Sequence, residues 1–134
     1  MDQDIKAELA TSSKTVMIVE DEPDVLAIYS QVLKEAGYNV VEATNGIEGL
    51  RLARSVAWDL MLLDIMIPGE DGIHVLKTLK EDKGLHFKPV ILLTNLDSET
   101  IINESFNLGA DGYLIKSEIT PDKIVTEVGS VLNK

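Results

Sequence analysis

The chain contains no cysteine, which excludes disulfides and thiolate-held metals. Its opening stretch, MDQDIKAELATSSK, has no basic segment leading into an apolar one, so it does not read as a secretory signal. No apolar run approaches the roughly 18 residues that span a bilayer. Basic residues are scarce: 12 Lys and Arg stand against 23 Asp and Glu, a formal net charge of −11. That balance argues against direct binding of DNA, RNA or an anionic membrane, because their phosphates would be repelled. Low-complexity linkers and internal repeats are also missing. These absences predict a cytoplasmic protein with a flexible extension over residues 1–13 and a single folded domain over 14–134. The hydrophobic fraction of 45% suits a globular core, and a chain of this length buries roughly two-thirds of its unfolded surface.

What is present alternates. TVMIV (15–19) is a short β-branched run, the pattern of a buried strand. Pro23 follows where the first turn of a helix tolerates it, and Val25, Ile28, Tyr29, Val32 and Ala36 recur at helical spacing up to Gly37. YNVVEA (38–43) predicts a second strand, TNG (44–46) a turn, and Ile47, Leu50 and Ala53 a second helix. DLMLL (59–63) is a third strand; PGEDG (68–72) is a loop whose Asp71 can cap a helix bearing Ile73, Leu76 and Leu79. PVILLT (89–94) is a fourth strand, with a helix from Ser98 carrying Ile101, Ile102, Ser105 and Phe106. GYLIK (112–116) is the fifth, and TPDKIVTEVGSVL (120–132) opens a last helix with a Thr cap and Pro at the first position. Strands apolar along their whole length and joined by helices imply an α/β fold: a doubly wound, flavodoxin-like (βα)5 parallel sheet. Its commonest five-stranded order is 2-1-3-4-5, with sites at the carboxyl ends of the strands.

Those ends carry polar residues of particular kinds. The first strand runs into Glu20, Asp21 and Glu22; the third ends at Asp64, the fourth at Thr94 and the fifth at Lys116. Asp64 interrupts an apolar run, DLMLLDIMIP, and a buried carboxylate is costly unless something pairs with it. Neighbouring carboxylates repel by about 4 kcal/mol per pair at about 4 Å and an effective dielectric near 20. A hard divalent cation such as Mg2+ removes that cost. Carboxylates, Mg2+, an ammonium and a hydroxyl are the parts that stabilise a phosphoryl group in transfer, and a carboxylate can accept one. Any one of these residues alone is more often a solvated turn, a cap or a surface lysine. Their joint occurrence on four strands at one edge is what points to chemistry.

On the motifs VEDEP, LLDIMIPGEDG, LLTN and GYLIK the chain resembles the receiver domains of bacterial two-component response regulators, the chemotaxis regulators included, over about residues 14–132. The resemblance implies that Asp64 is the phosphoacceptor, and that Glu20, Asp21, Asp64 and the backbone carbonyl of Met66 hold Mg2+. It implies that Thr94 and Lys116 contact the phosphoryl group, that Thr94 and Tyr113 form the switch, and that Met66 and Leu96 tune dephosphorylation. It further implies a histidine kinase or phosphotransfer protein as donor. An output partner or output domain, and a homodimer formed through the fourth helix, fifth strand and fifth helix on phosphorylation, complete the picture. Such a protein is a signalling switch that gains and loses phosphate, not a metabolic enzyme.

The pattern also departs from that family. Ser117 stands where a proline, often preceded by a cis bond, is usual; a cis bond before serine costs about 2.5–4 kcal/mol, which favours trans. Asn95 follows Thr94 where a smaller residue is usual. The alternative from another class is a degenerate receiver that binds protein without phosphate, though such modules usually lose an acid, the Thr or the Lys. A haloacid-dehalogenase-type hydrolase would need an acid two residues after the nucleophile, where Met66 stands. A flavin carrier would need a phosphate loop where EDEPD stands. His74 and His86 lack metal spacing, Trp58 reads as packing before the third strand, and Met17 and Met61 read as core.

Overall fold

The computed structural model describes residues 13–69, 71–95 and 99–133. Five strands, β1 (Thr15–Val19), β2 (Asn39–Ala43), β3 (Leu60–Asp64), β4 (Val90–Thr94) and β5 (Gly112–Ile115), form one parallel sheet in the order β2-β1-β3-β4-β5. Five α-helices alternate with them: α1 (Pro23–Glu35), α2 (Gly46–Ser55), α3 (Gly72–Glu81), α4 (Glu99–Asn107) and α5 (Pro121–Leu132). A 3-10 turn over Lys116–Glu118 leads from β5 toward α5. The expected order is the observed one.

β1, β3 and β4, the interior strands, are almost wholly buried, which is why their sequences are apolar throughout. Alternate side chains feed two cores. Met17, Val19, Met61, Leu63 and Leu92 pack with Ala53 of α2 and with Val75, Leu76 and Leu79 of α3. Val16, Ile18, Leu62, Ile91 and Leu93 pack with Leu26, Tyr29 and Leu33 of α1 and with Ile124 and Val128 of α5. Each such buried aliphatic contributes about 1.5–3 kcal/mol.

The helix stripes differ in detail from the expected ones. α1 rests on Leu26, Tyr29, Ser30 and Leu33, while Ile28 is 53% exposed; the buried face is turned by one residue from the predicted stripe because Tyr29 and Leu33, four apart, meet the sheet together. Ile47 on α2 is likewise exposed and lies beside Gly69 instead of in the core. The caps hold: Asp71 accepts from the His74 amide at 3.0 Å and Thr120 from the Lys123 amide at 3.3 Å. Asn45, read only as part of a turn, also caps α2 by accepting from the Glu48 amide at 2.8 Å. Trp58 is buried; its indole donates to the Ala53 carbonyl, and the Lys88 ammonium sits 4.7 Å above its ring. The predicted start of the fourth helix at Ser98 and the tuning position Leu96 lie outside the described residues.

Candidate functional site

Parallel pairing places the polar strand ends together. Val19 is level with Leu63, and Thr94 with Ile115, so Glu20 and Asp64 leave the sheet side by side, with Thr94 and Lys116 next to them. Glu20, Asp64 and Thr94 are buried, at 0%, 3% and 1% exposure. One carboxylate oxygen each from Glu20, Asp21 and Asp64 lies within 4.8 Å of the others. Asp21 is exposed and closes the group from the solvent side.

Lys116 is the cation that makes this arrangement tolerable. Its Nζ lies 2.7 Å from Glu20 Oε1, 3.2 Å from Asp64 Oδ2 and 3.4 Å from Glu22 Oε1. Burial opposes the lysine's charge, but the Glu20 and Asp64 carboxylates outweigh it and hold Lys116 well above the ordinary lysine range. For Glu20 the balance is reversed: burial pushes its carboxyl up, and Lys116 and the Glu22 amide only partly counter that. Glu20 Oε1 is fully buried, and its close partner is the Lys116 ammonium at 2.7 Å, which it shares with Asp64 and Glu22. Glu20 Oε2 accepts from the Glu22 amide at 3.1 Å. Three carboxylates with oxygens within 4.8 Å of one another, and a single shared ammonium beside them, keep a net negative charge, and their oxygen donors fit a hard divalent cation.

The loop after β3 is anchored at both ends. Asp64 Oδ1 accepts from the Met66 amide at 3.0 Å, and the Ile65 carbonyl accepts from the Gly72 amide at 2.8 Å. A Cβ on Gly72 would fall 2.5 Å from both the Asp64 carbonyl oxygen and the Ile65 Cα. Gly72 is therefore required by close backbone approach, whereas the positive φ of this loop belongs to Gly69, at 88°. Pro68 accepts from the Gly46 amide at 3.2 Å, tying this loop to the start of α2. Met66 is 65% exposed. Together Glu22, Asp64, Met66, Thr94, Asn95 and Lys116 line a cavity of about 120 Å3.

Of the residues singled out in the sequence, Glu20, Asp21, Asp64, Met66, Thr94 and Lys116 thus meet at one edge. Tyr113 is half-buried on β5 and packs against the α2–α4 side of the core, apart from the cavity lining. No peptide bond among the described residues is cis, so Lys116–Ser117 is trans. Glu22 is the residue whose position the sequence did not convey. It was visible as one more acid after β1, but its reach to Lys116, 94 positions away, needs the fold.

The fold is a doubly wound α/β sheet of flavodoxin-like order with an acidic cluster and a lysine at its carboxyl edge, and residues 16–129 match the response regulator receiver domain family. The chain belongs to that family. Among curated relatives it is 34% identical over 122 residues to the alkaline phosphatase synthesis transcriptional regulatory protein PhoP of Bacillus subtilis, covering 91% of this chain and 50% of that one. It is 32% identical over 124 residues to transcriptional regulatory protein ResD of the same organism, covering 92% and 50%. The chain spans about half the length of the curated relatives it matches. Among solved structures, the chemotaxis response regulator CheY4 of Vibrio cholerae matches with a TM-score of 0.84 and 27% identity, over 90% of this chain and all of that one. The Mn(2+)-bound form of response regulator Rcp1 matches at 0.77 and 26%, over 90% and 96%. These relatives are regulators and receiver domains, not metabolic enzymes. No helix among the described residues is long and apolar enough to cross a membrane.

Proposed function

We propose that this receiver domain is a switch thrown by phosphorylation of Asp64. The observation that carries the reading is the Lys116 ammonium, held between Asp64 and Glu20 at the mouth of a cavity that also presents the Thr94 side of β4. Glu20, Asp21, Asp64 and the Met66 carbonyl are the ligands proposed for Mg2+, and that a response regulator of the same fold, Rcp1, has a Mn(2+)-bound form is in keeping with a divalent ion. That ion, when bound, supplies positive charge to the carboxylates and to the phosphoryl oxygens in transfer.

Asp64 Oδ attacks phosphorus as the bond to the leaving group breaks, and the leaving group departs with the bonding pair. Lys116 gives up part of its hold on Glu20 and Asp64 to neutralise the transferred oxygens. The added charge, about −1.5 to −2, draws Thr94 inward, and Tyr113 follows. The surface of α4, β5 and α5 then changes between two arrangements, and that surface engages an output domain, an output partner or a second copy. The donor is a histidine kinase or phosphotransfer protein. Met66 and Leu96 set how fast water removes the phosphate.

Intact-protein mass after incubation with Mg2+ and acetyl phosphate, with Asp64→Asn alongside, tests the reading. One phosphoryl adduct that requires Mg2+ and is lost in the variant is expected. An adduct that survives Asp64→Asn, or none with small donors or a histidine kinase, overturns it and leaves a phosphate-independent binding module.

A further inference from the structure

Glu22 is not among the residues proposed above to hold the metal or the phosphoryl group, yet it lines the same cavity. Its side chain is 61% exposed, and its Oε1 lies 3.4 Å from Lys116 Nζ, on the same ammonium that contacts Asp64 at 3.2 Å. It precedes Pro23 at the start of α1, and its carboxylate makes no hydrogen bond to cap that helix. The carboxylate therefore stands at the mouth of the phosphoryl cavity, in a chain of net charge −11, 3.4 Å from Lys116 and on a residue whose backbone amide is bonded to Glu20 Oε2.

We infer that Glu22 selects the phosphoryl donor by the charge of its leaving group, favouring phosphoryl carried on protonated nitrogen over acyl phosphates. The inference rests on Asp64 being the acceptor. In transfer from nitrogen, the P–N bond breaks, a P–O bond forms to Asp64, and the departing nitrogen takes the bonding pair. Because the base is already protonated, on the amine nitrogen itself or on the distal ring nitrogen of an imidazole, it leaves as a neutral amine or imidazole. In transfer from an acyl phosphate, the P–O bond breaks and a carboxylate leaves, so anionic charge enters and develops beside Glu22. A carboxylate at the entrance repels the second donor and not the cationic end of the first. Glu22 also shares Lys116 with the phosphoryl group, but that effect is the same for both donors and cancels in their ratio.

The test compares phosphorylation rates with acetyl phosphate and phosphoramidate, both with Mg2+, for the unaltered chain, Glu22→Gln and Glu22→Lys. Glu22→Gln is expected to speed the acetyl phosphate reaction by about 5-fold with under about 2-fold change for phosphoramidate, and Glu22→Lys to widen the difference. The acetyl phosphate rate of the unaltered chain should rise with ionic strength, and that slope should flatten in Glu22→Gln. Equal changes for both donors, or none in either variant, overturn the selecting role while leaving Asp64 as acceptor. Failure of the unaltered chain to take phosphate from either donor overturns the acceptor reading and this inference with it.

Discussion

Met66 donates its amide to Asp64 while its side chain, 65% exposed, covers one wall of the phosphoryl cavity. A thioether cannot orient an attacking water by donating a hydrogen bond, and it accepts only weakly. The phosphate on Asp64 should accordingly be long-lived. Met66→Asn places an amide where water must approach, and we expect the half-life of the phosphorylated form to shorten by about 10-fold. Decay of the adduct after removal of the donor, followed by intact mass, measures this; an unchanged half-life removes Met66 from the tuning role. The substitution is exposed and lies in a loop, so it should leave unfolding by urea unaltered within about 0.5 kcal/mol.

At the scale of elements, the loop from β3 into α3 depends on one contact. Gly72 brings its backbone against the Asp64 carbonyl and Ile65, and the Ile65 carbonyl receives its amide. Gly72→Ala forces backbone atoms 2.5 Å from the new Cβ to move, which we expect to cost about 2–3 kcal/mol and to displace Asp64 from Lys116. Urea unfolding and the rate of adduct formation should both report it, and a neutral result in either would show that the loop has a second packing. This contact marks the limit of what the sequence showed. Alternation of strands and helices was legible because strands buried on both faces must be apolar throughout, and the strand ends were legible because Glu20, Asp64, Thr94 and Lys116 break those runs. The turn-like PGEDG announced a glycine-shaped loop, but did not say that Gly69 supplies the positive φ and Gly72 the close approach. The α1 stripe was misplaced because Ile28, as apolar as its neighbours, lies on the solvent side. Position 22 read as one of three acids after β1; its nearness to Lys116 arises because the lysine side chain, leaving β5, reaches along the sheet edge past β4 and β3 toward the end of β1, which spacing does not encode.

Across the whole molecule, the net charge of −11 and a buried carboxylate group held by one lysine set the same problem at two ranges. Screening by any salt relieves the first, since the surface charges repel through solvent. Only a cation that enters between Glu20, Asp21 and Asp64 relieves the second. Mg2+ at about one hundred times its dissociation constant should stabilise the fold by about 2.7 kcal/mol, because it binds the folded chain alone. For a chain of this size that raises the unfolding midpoint by about 8 °C. Sodium chloride at matched ionic strength should give a much smaller rise. Glu20→Gln separates the two effects. It removes one of three neighbouring carboxylates while Lys116 keeps Asp64 and Glu22 as partners, so it should unfold about 1 kcal/mol harder than the unaltered chain in the absence of Mg2+. It should also respond equally to the two salts at matched ionic strength. Should sodium match magnesium in the unaltered chain, the stabilisation is surface screening alone and the carboxylates do not form a metal site.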